Sequence, residues 1–440
     1  LLPSPPAQGE QGIRCIGEVN IMVNIKKISL LAAALIMAAG LVAWFYQFQE
    51  GLILTDLSNS FSWGLYISGL AFFVGNAAGG LVLSSSIYLF GLTKLKPFAK
   101  IGALTAFANV TAAMLIVIPD MGQPLRLWYL LIYPKFDSPL VWDVIVLILY
   151  AVLSLTYLYI LMLPDLNGRL QRFAIKVKDP KEFSEKWAKN LAPFALVFAI
   201  SIHVVTAWIF STQGGREWWF TPTLAPDFLA VAITSGTTIV LMASVLAFGI
   251  KEAYRDAYRT MAGIIAAFFI IHMFLMYNDF FIKTWYGSES SMHTLGLVFG
   301  EYLRIHALEV IAPLIAVLLL LRKSVRESKI AIVASSLLLL VGVFAHRFLL
   351  MPPAFEAIPL TFNPIGFQEI FWSYPIASGR FVEGMDTFVD RWNYFPTMIE
   401  ITIFSGVVAY MYFVVAAGTE FLPVVRKEPE VKSSPLEKKE

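Results

Sequence analysis

Ten apolar stretches, most of them about twenty residues long, dominate this chain, and a helix needs about that length to cross ~30 Å of hydrocarbon at 1.5 Å per residue. They fall at 28–48, 62–90, 98–118, 139–163, 190–212, 226–250, 260–283, 301–322, 329–350 and 396–417. None shows the period-two alternation and short spacing of a transmembrane barrel. The pattern predicts an all-α, polytopic membrane protein. Composition agrees: 58% of the 440 residues are apolar and only 15% are charged, against roughly 25% charged in soluble domains. A net charge of +2, with basic residues scattered over short loops, argues against a nucleic-acid surface. Cys15, the single cysteine, excludes an internal disulfide, an all-cysteine zinc site or an iron–sulfur cluster held by this chain alone.

Basic residues favour cytoplasmic connections. One alternate set of loops, taken with both termini and without Arg14, carries 24 Lys and Arg. The opposite set carries eight: Arg126, Lys135, Arg216, Lys283, Arg304, Arg347, Arg380 and Arg391. Both termini are therefore expected in the cytoplasm, with the chain in the cell membrane. Residues 1–27 read as a leader, either disordered or an upstream start before Met22, and 418–440 as a cytoplasmic tail. The outer connection 351–395 is too long for a turn and too apolar for a free linker, which predicts a folded lid or a docking surface.

A repeat lies inside the helix count. Spans two to five (62–212) and six to nine (226–350) run in the same order from the same side, as two parallel four-helix bundles flanked by the first and tenth helices. Asp120 and Asp279 end corresponding helices, Asp143 and Glu301 begin the next ones, and His203 and His346 lie near the outer ends of the last.

Ionisable side chains at membrane depth cost at least ~2.5–3.5 kcal/mol on insertion scales, which makes each a functional candidate. Asp120, Asp143, His203, Asp279, Glu301, Arg304, His306, Arg347 and Glu400 cluster toward the outer half, with His272 and Glu309 deeper. The competing reading for each is a structural ion pair, Glu301 with Arg304 or Arg347 with a nearby acid. His203, in an otherwise mostly apolar segment, has the chemistry to accept a proton from a quinol hydroxyl between apolar walls; the plainer alternative is a buried histidine bonded to a neighbouring helix. A b-type haem is another reading, with His203 and His272 or His306 and His346 as axial pairs. In Gly75-Asn76-Ala-Ala-Gly79-Gly80 the small residues predict close helix packing, with Asn76 either bonded across that contact or touching a ligand.

Several motifs together resemble the NrfD/PsrC-like (polysulfide reductase) integral membrane subunits of respiratory complexes, particularly the ten-span branch containing DsrP and HybB. They are Ser62-Trp63-Gly64-Leu-Tyr66, Pro119-Asp120-Met-Gly122-Gln-Pro124-Leu-Arg126, Ser138-Pro-Leu-Val-Trp142-Asp143, His203 through Trp219, Glu309, Arg347 and Tyr394-Phe-Pro396-Thr-Met-Ile-Glu400. Met121 and Gln123 depart from the commoner Leu and Arg. The resemblance implies a subunit without a tightly bound cofactor that takes menaquinone or menaquinol as substrate near the outer face, within the first bundle. It implies an adjacent ferredoxin-like iron–sulfur subunit, with cytochrome c, cytochrome b-like and heterodisulfide-reductase-like subunits as further partners, as in Hdr-like menaquinol oxidoreductases. On this reading His203 accepts the quinol proton, Asp120 and Asp143 orient or relay it, and Trp128, Tyr129 and Trp142 contact ring or tail. Asp279, Glu301, His306 and Glu309 form a candidate proton path in the second bundle. Secondary transport and a non-catalytic anchor are the alternatives from other functional classes.

Overall fold

The computed structural model describes residues 8–356, four two-residue strands between 361 and 389, and residues 393–425. Most of the connection expected as a lid, the first seven residues of the leader and the tail beyond 425 lie outside the described residues. Among the described residues, ten helices are long and apolar enough to cross a membrane. They are α1 (Gln8–Glu50), α2 (Leu65–Leu89), α3 (Ala99–Val117), α4 (Pro139–Met162), α5 (Pro180–Ser211), α6 (Leu224–Phe248), α7 (Arg255–Tyr286), α8 (Leu303–Leu321), α9 (Lys329–Phe348) and α10 (Met398–Phe421). The strands pair antiparallel, 361–362 with 372–373 and 376–377 with 388–389, and none spans.

Helix ends follow local chemistry. Asp179 accepts from the backbone of Lys181 and Glu182, and Pro180 opens α5 ten residues before its apolar run; a first-position proline loses no needed donor. At α10, Thr397 and Glu400 form a reciprocal capping box, which satisfies two otherwise orphaned amides. Gly287, at φ +59°, ends α7 in the left-handed conformation. The short helix Glu289–Phe299 between α7 and α8 was not foreseen in the hydropathy pattern.

Packing repeats between the halves. In the first, α2 lies on α3 and α5, and α4 on α5; in the second, α6 lies on α7 and α9, and α8 on α9. The bundles meet where α2 crosses α6 at Gly79 and Gly236. A Cβ on Gly79 would fall 2.4 Å from the Gly236 Cα, so only hydrogen at both positions allows the backbones to touch. Helices α1 and α10 pack together outside the first bundle and close at Gly40 and Gly406. The end at which α2, α4, α6, α8 and α10 begin is called the upper end below.

Candidate functional site

Three groups of buried polar side chains occupy the upper half. The first joins α4 and α5. His203 is fully buried, and its Nδ1 lies 2.8 Å from the Ala199 carbonyl oxygen. A carbonyl only accepts, so Nδ1 carries the hydrogen and Nε2 of the neutral ring presents a lone pair. That Nε2 is buried without a hydrogen-bond partner. One turn on, Thr206 Oγ1 lies 2.5 Å from Asp143 Oδ1 and 2.6 Å from the Ile202 carbonyl oxygen. One hydroxyl hydrogen cannot fully serve both acceptors, and a proton on Asp143 satisfies the pair. Asp143 is thus tied to the helix that carries His203.

Asp120 belongs to a second group, built where α1, α2, α3 and α10 meet. Gln47 donates to the Pro119 carbonyl at 2.7 Å and accepts from the Tyr66 hydroxyl at 2.5 Å. Glu400, fully buried, accepts from the amides of Asp56 at 3.1 Å and Thr397 at 2.9 Å and from the Tyr394 hydroxyl. The Tyr394 oxygen also accepts from the Leu65 amide at 2.8 Å. A Cβ on Gly64 would stand 2.3 Å from the Tyr394 ring, so the glycine of the Ser-Trp-Gly motif makes room for a tyrosine 330 residues later. Burial and the charge of Glu400 push the Tyr394 phenol well above its usual range. Asp120 interacts electrostatically with Glu400 and Tyr66, and its Oδ1 is buried without a partner. A cleft of about 20 Å³ runs past Pro119 and Met121 on either side of it, between α1 and the α3–α4 connection.

The third group lies in the second bundle and is a continuous chain of alternating imidazoles and carboxylates. His272 Nδ1 lies 2.6 Å from Asp227 Oδ1, and Asp227 Oδ2 lies 3.2 Å from His346 Nε2. His346 Nδ1 is 2.5 Å from Glu309 Oε1, and Glu309 Oε2 is 3.0 Å from His306 Nδ1. All five residues are buried or nearly so. A cavity of about 60 Å³ opens from this chain toward Asp279, which accepts from Thr221 at 2.6 Å and from Lys283 at 2.8 Å.

Of the expected proton-path residues, His306 and Glu309 are bonded to one another, Asp279 shares a cavity with Glu309, and Glu301 is exposed at the turn before α8. Trp128, Tyr129 and Trp142 are exposed on and beside the α3–α4 connection; Trp142 donates to the Phe136 carbonyl at 2.6 Å. The hydrogen bond expected for Asn76 across the α2 contact is not made, because backbone meets backbone there and both side-chain polar atoms lack partners. Arg216, Trp218 and Trp219 donate to carbonyls of Ala354, Leu349 and Leu350, holding the α5–α6 loop on the end of α9.

Asp227 was missed. An acid in the first turn of an apolar helix is ordinary complementation of the helix dipole, and the one signal was its place four residues into a span. Asp227, His272 and His346 present ligand-type atoms within 4.8 Å of one another. Yet Asp227 and His272 approach to 2.6 Å, closer than the roughly 3.3 Å that separates ligands in a tetrahedral zinc site; this is proton-sharing geometry. As for a haem, the His272 and His346 ring centroids are 4.7 Å apart, and Glu309 bonds Nδ1 of both His306 and His346.

Comparison with known proteins finds relatives that match most of this chain. A protein of Halobacterium salinarum described as a putative membrane subunit of a dimethyl sulfoxide reductase is 33% identical over 413 residues, covering 90% of this chain and 91% of its own. The Hdr-like menaquinol oxidoreductase integral membrane subunit of Archaeoglobus fulgidus is 24% identical over 90% of this chain and 94% of its own. A polysulfide reductase component of Wolinella succinogenes is 24% identical over 67% of this chain and 94% of its own. The family profile "Polysulphide reductase, NrfD" matches residues 54–359, from just before α2 to just past α9, and the chain belongs to that family.

Proposed function

We propose that the chain is the integral membrane subunit of a respiratory quinol oxidoreductase complex, taking menaquinol at the upper end of the first bundle and passing its electrons to an iron–sulfur partner subunit. The observation that carries this reading is the unpartnered Nε2 lone pair of His203. Oxidising a quinol releases two electrons and two protons. The first bundle holds two buried proton acceptors without partners, His203 Nε2 and Asp120 Oδ1. With one cysteine in the chain, the electrons leave for centres on another subunit. Asp143 orients the α5 segment through Thr206. The cleft past Pro119 and Met121 has about a water's volume, so on this reading a quinol ring enters only when the α3–α4 connection beside it moves aside. The upper end faces outward on this reading, in line with the distribution of basic residues.

The hydrogen-bonded chain from His272 to His306 supports a second element of the same function, transfer of protons through the second bundle. Each residue in it both gives and takes a proton, which is what a relay requires. The cavity toward Asp279 gives it a mouth on the upper side.

The test is menaquinol-driven reduction of the partner's iron–sulfur centres in the purified complex. His203→Gln and Asp120→Asn complexes that assemble are expected to lose roughly a hundredfold or more in rate, the usual worth of a positioned acid or base. Wild-type rates in both would remove the site assignment, and no reduction by quinol in the wild-type complex would leave the chain an anchor.

A further inference from the structure

Arg347 lies one residue beyond His346 on α9 and is fully buried. A charge at that depth ordinarily finds a carboxylate. Among the described residues Arg347 makes no ion pair, contrary to the structural pairing expected for it. The carboxylates beside it are already engaged, Asp227 by His272 and His346, Glu309 by His346 and His306. The guanidinium carbon sits 3.9 Å over the Phe228 ring, Nη2 makes one long bond of 3.4 Å to the Phe228 carbonyl, and Nε and Nη1 have no partner.

Its other side faces the first bundle. A Cβ on Gly75 would stand 3.7 Å from Nη2 and 3.9 Å from Nε, so the missing side chain at Gly75 brings the charge against the α2 backbone. The Val74 and Gly75 carbonyls of that same backbone act on the His203 ring, which also lies within the field of Arg347. Asp227 and Glu309 lie within the same field on the far side. The titratable groups around this seam are Asp143 and Tyr150 on α4, His203 on α5, Asp227 on α6, His272 on α7, His306 and Glu309 on α8, and His346 with Arg347 on α9. Tyr150 is occupied in donating to the Ala77 carbonyl at 2.7 Å, and α2 presents Gly75 and Asn76.

We propose that Arg347 is a positioning residue that holds an unpaired positive charge between the two bundles, so that His203 binds the quinol's proton only loosely, and more loosely still once the Asp227–His346–Glu309 chain has taken up protons. The inference rests on His203 as the quinol's proton acceptor. In that step one quinol O–H bond breaks, an Nε2–H bond forms and the bonding pair stays on the quinol oxygen; the second O–H proton goes to Asp120, and the ring's two electrons pass to the partner's iron–sulfur centre, leaving the quinone. The resulting imidazolium is repelled by the guanidinium and gives up its proton to water at the upper face. Carboxylates that are still charged offset the guanidinium and let His203 load; once they take up protons the offset is lost and His203 unloads. The coupling is reciprocal, as any linkage between two sites must be.

The pH–rate profile of menaquinol oxidation by the assembled complex tests this. His203 must be neutral to act, so the profile has an acid limb, and His203→Gln should remove it. Arg347→Gln removes the repulsion and is expected to move the limb to higher pH by about one unit; Arg347→Lys, which keeps the charge, should hold it near the wild-type position. Glu309→Gln removes an offsetting negative charge and should move the limb to lower pH. An assembled Arg347→Gln complex with an unmoved limb, or a Lys variant that shifts as far as the Gln variant, overturns the proposal. If Arg347→Gln fails to assemble, Glu309→Gln decides, since an unmoved limb there also overturns it. A limb that survives His203→Gln instead removes His203 as the quinol's base, and the inference falls with that reading.

Discussion

Glu400 illustrates how one side chain can carry several structural duties. Its two oxygens accept from two backbone amides and a tyrosine hydroxyl, and they tie α10 to the segment before α2. The Tyr394 phenol, held high by burial and by that carboxylate, remains a donor throughout the range in which the protein works. Glu400→Gln replaces an acceptor oxygen with a donor among groups that themselves donate, at a cost of about 1–3 kcal/mol per mismatched bond; a lowered thermal midpoint of the detergent-solubilised protein would register it. In the second bundle, Asp227→Asn and Glu309→Gln break the hydrogen-bonded chain proposed as a relay and leave His203 and Asp120, the acceptors proposed in the first bundle, in place. In proteoliposomes we expect them to lower the protons moved per electron more than they lower quinol oxidation; equal loss of both would count against a relay. His203, Glu309 and His306 were readable as ionisable residues in apolar runs. Their partners were not. Hydropathy gives the depth of a residue but not the face it presents, and bonds such as Asp227 to His346 join helices 119 residues apart.

At the scale of helices, glycine position decides what packs. The run from Gly75 to Gly80 was legible as a close contact, and Gly79 lies against Gly236 as its spacing suggested, while Gly80 lies against the Gly102 carbonyl. Gly79→Ala is expected to destabilise the protein by about 1–3 kcal/mol through overpacking. Gly263, on α7, has open space where a Cβ would stand, and Gly263→Ala should be neutral or stabilising by up to about 1 kcal/mol through helix propensity. Thermal unfolding of the two variants side by side would check both; equal effects would mean that the seam is not the tight contact described. The ten spans themselves were visible because their length is set by the bilayer. The start of α5 at Pro180 was not placed by hydropathy, because Asp179 and Pro180 begin a polar helix that the apolar run only later joins.

For the molecule as a whole, the unequal division of basic residues sets a testable orientation. In a protein whose Cys15 is replaced by Ser, Gln123→Cys at the upper end should react in intact cells with a membrane-impermeant thiol reagent, and Lys181→Cys at the lower end should not. The reverse pattern would invert the assignment. The architecture also bears on how the chain is assembled in the first place. Helix α2 touches helices of both bundles and α10, and 94% of its apolar window is buried against 11% for α1. It is also the least hydrophobic of the ten spans. A segment that never meets lipid in the finished protein is under little selection to dissolve in it, so its exit from the translocon depends on the company it keeps. On emerging, α2 has α1 behind it and α3 following, and its remaining neighbours are up to three hundred residues from being made. Biogenesis must therefore shelter the most central helix of the protein while most of its surroundings are still untranslated.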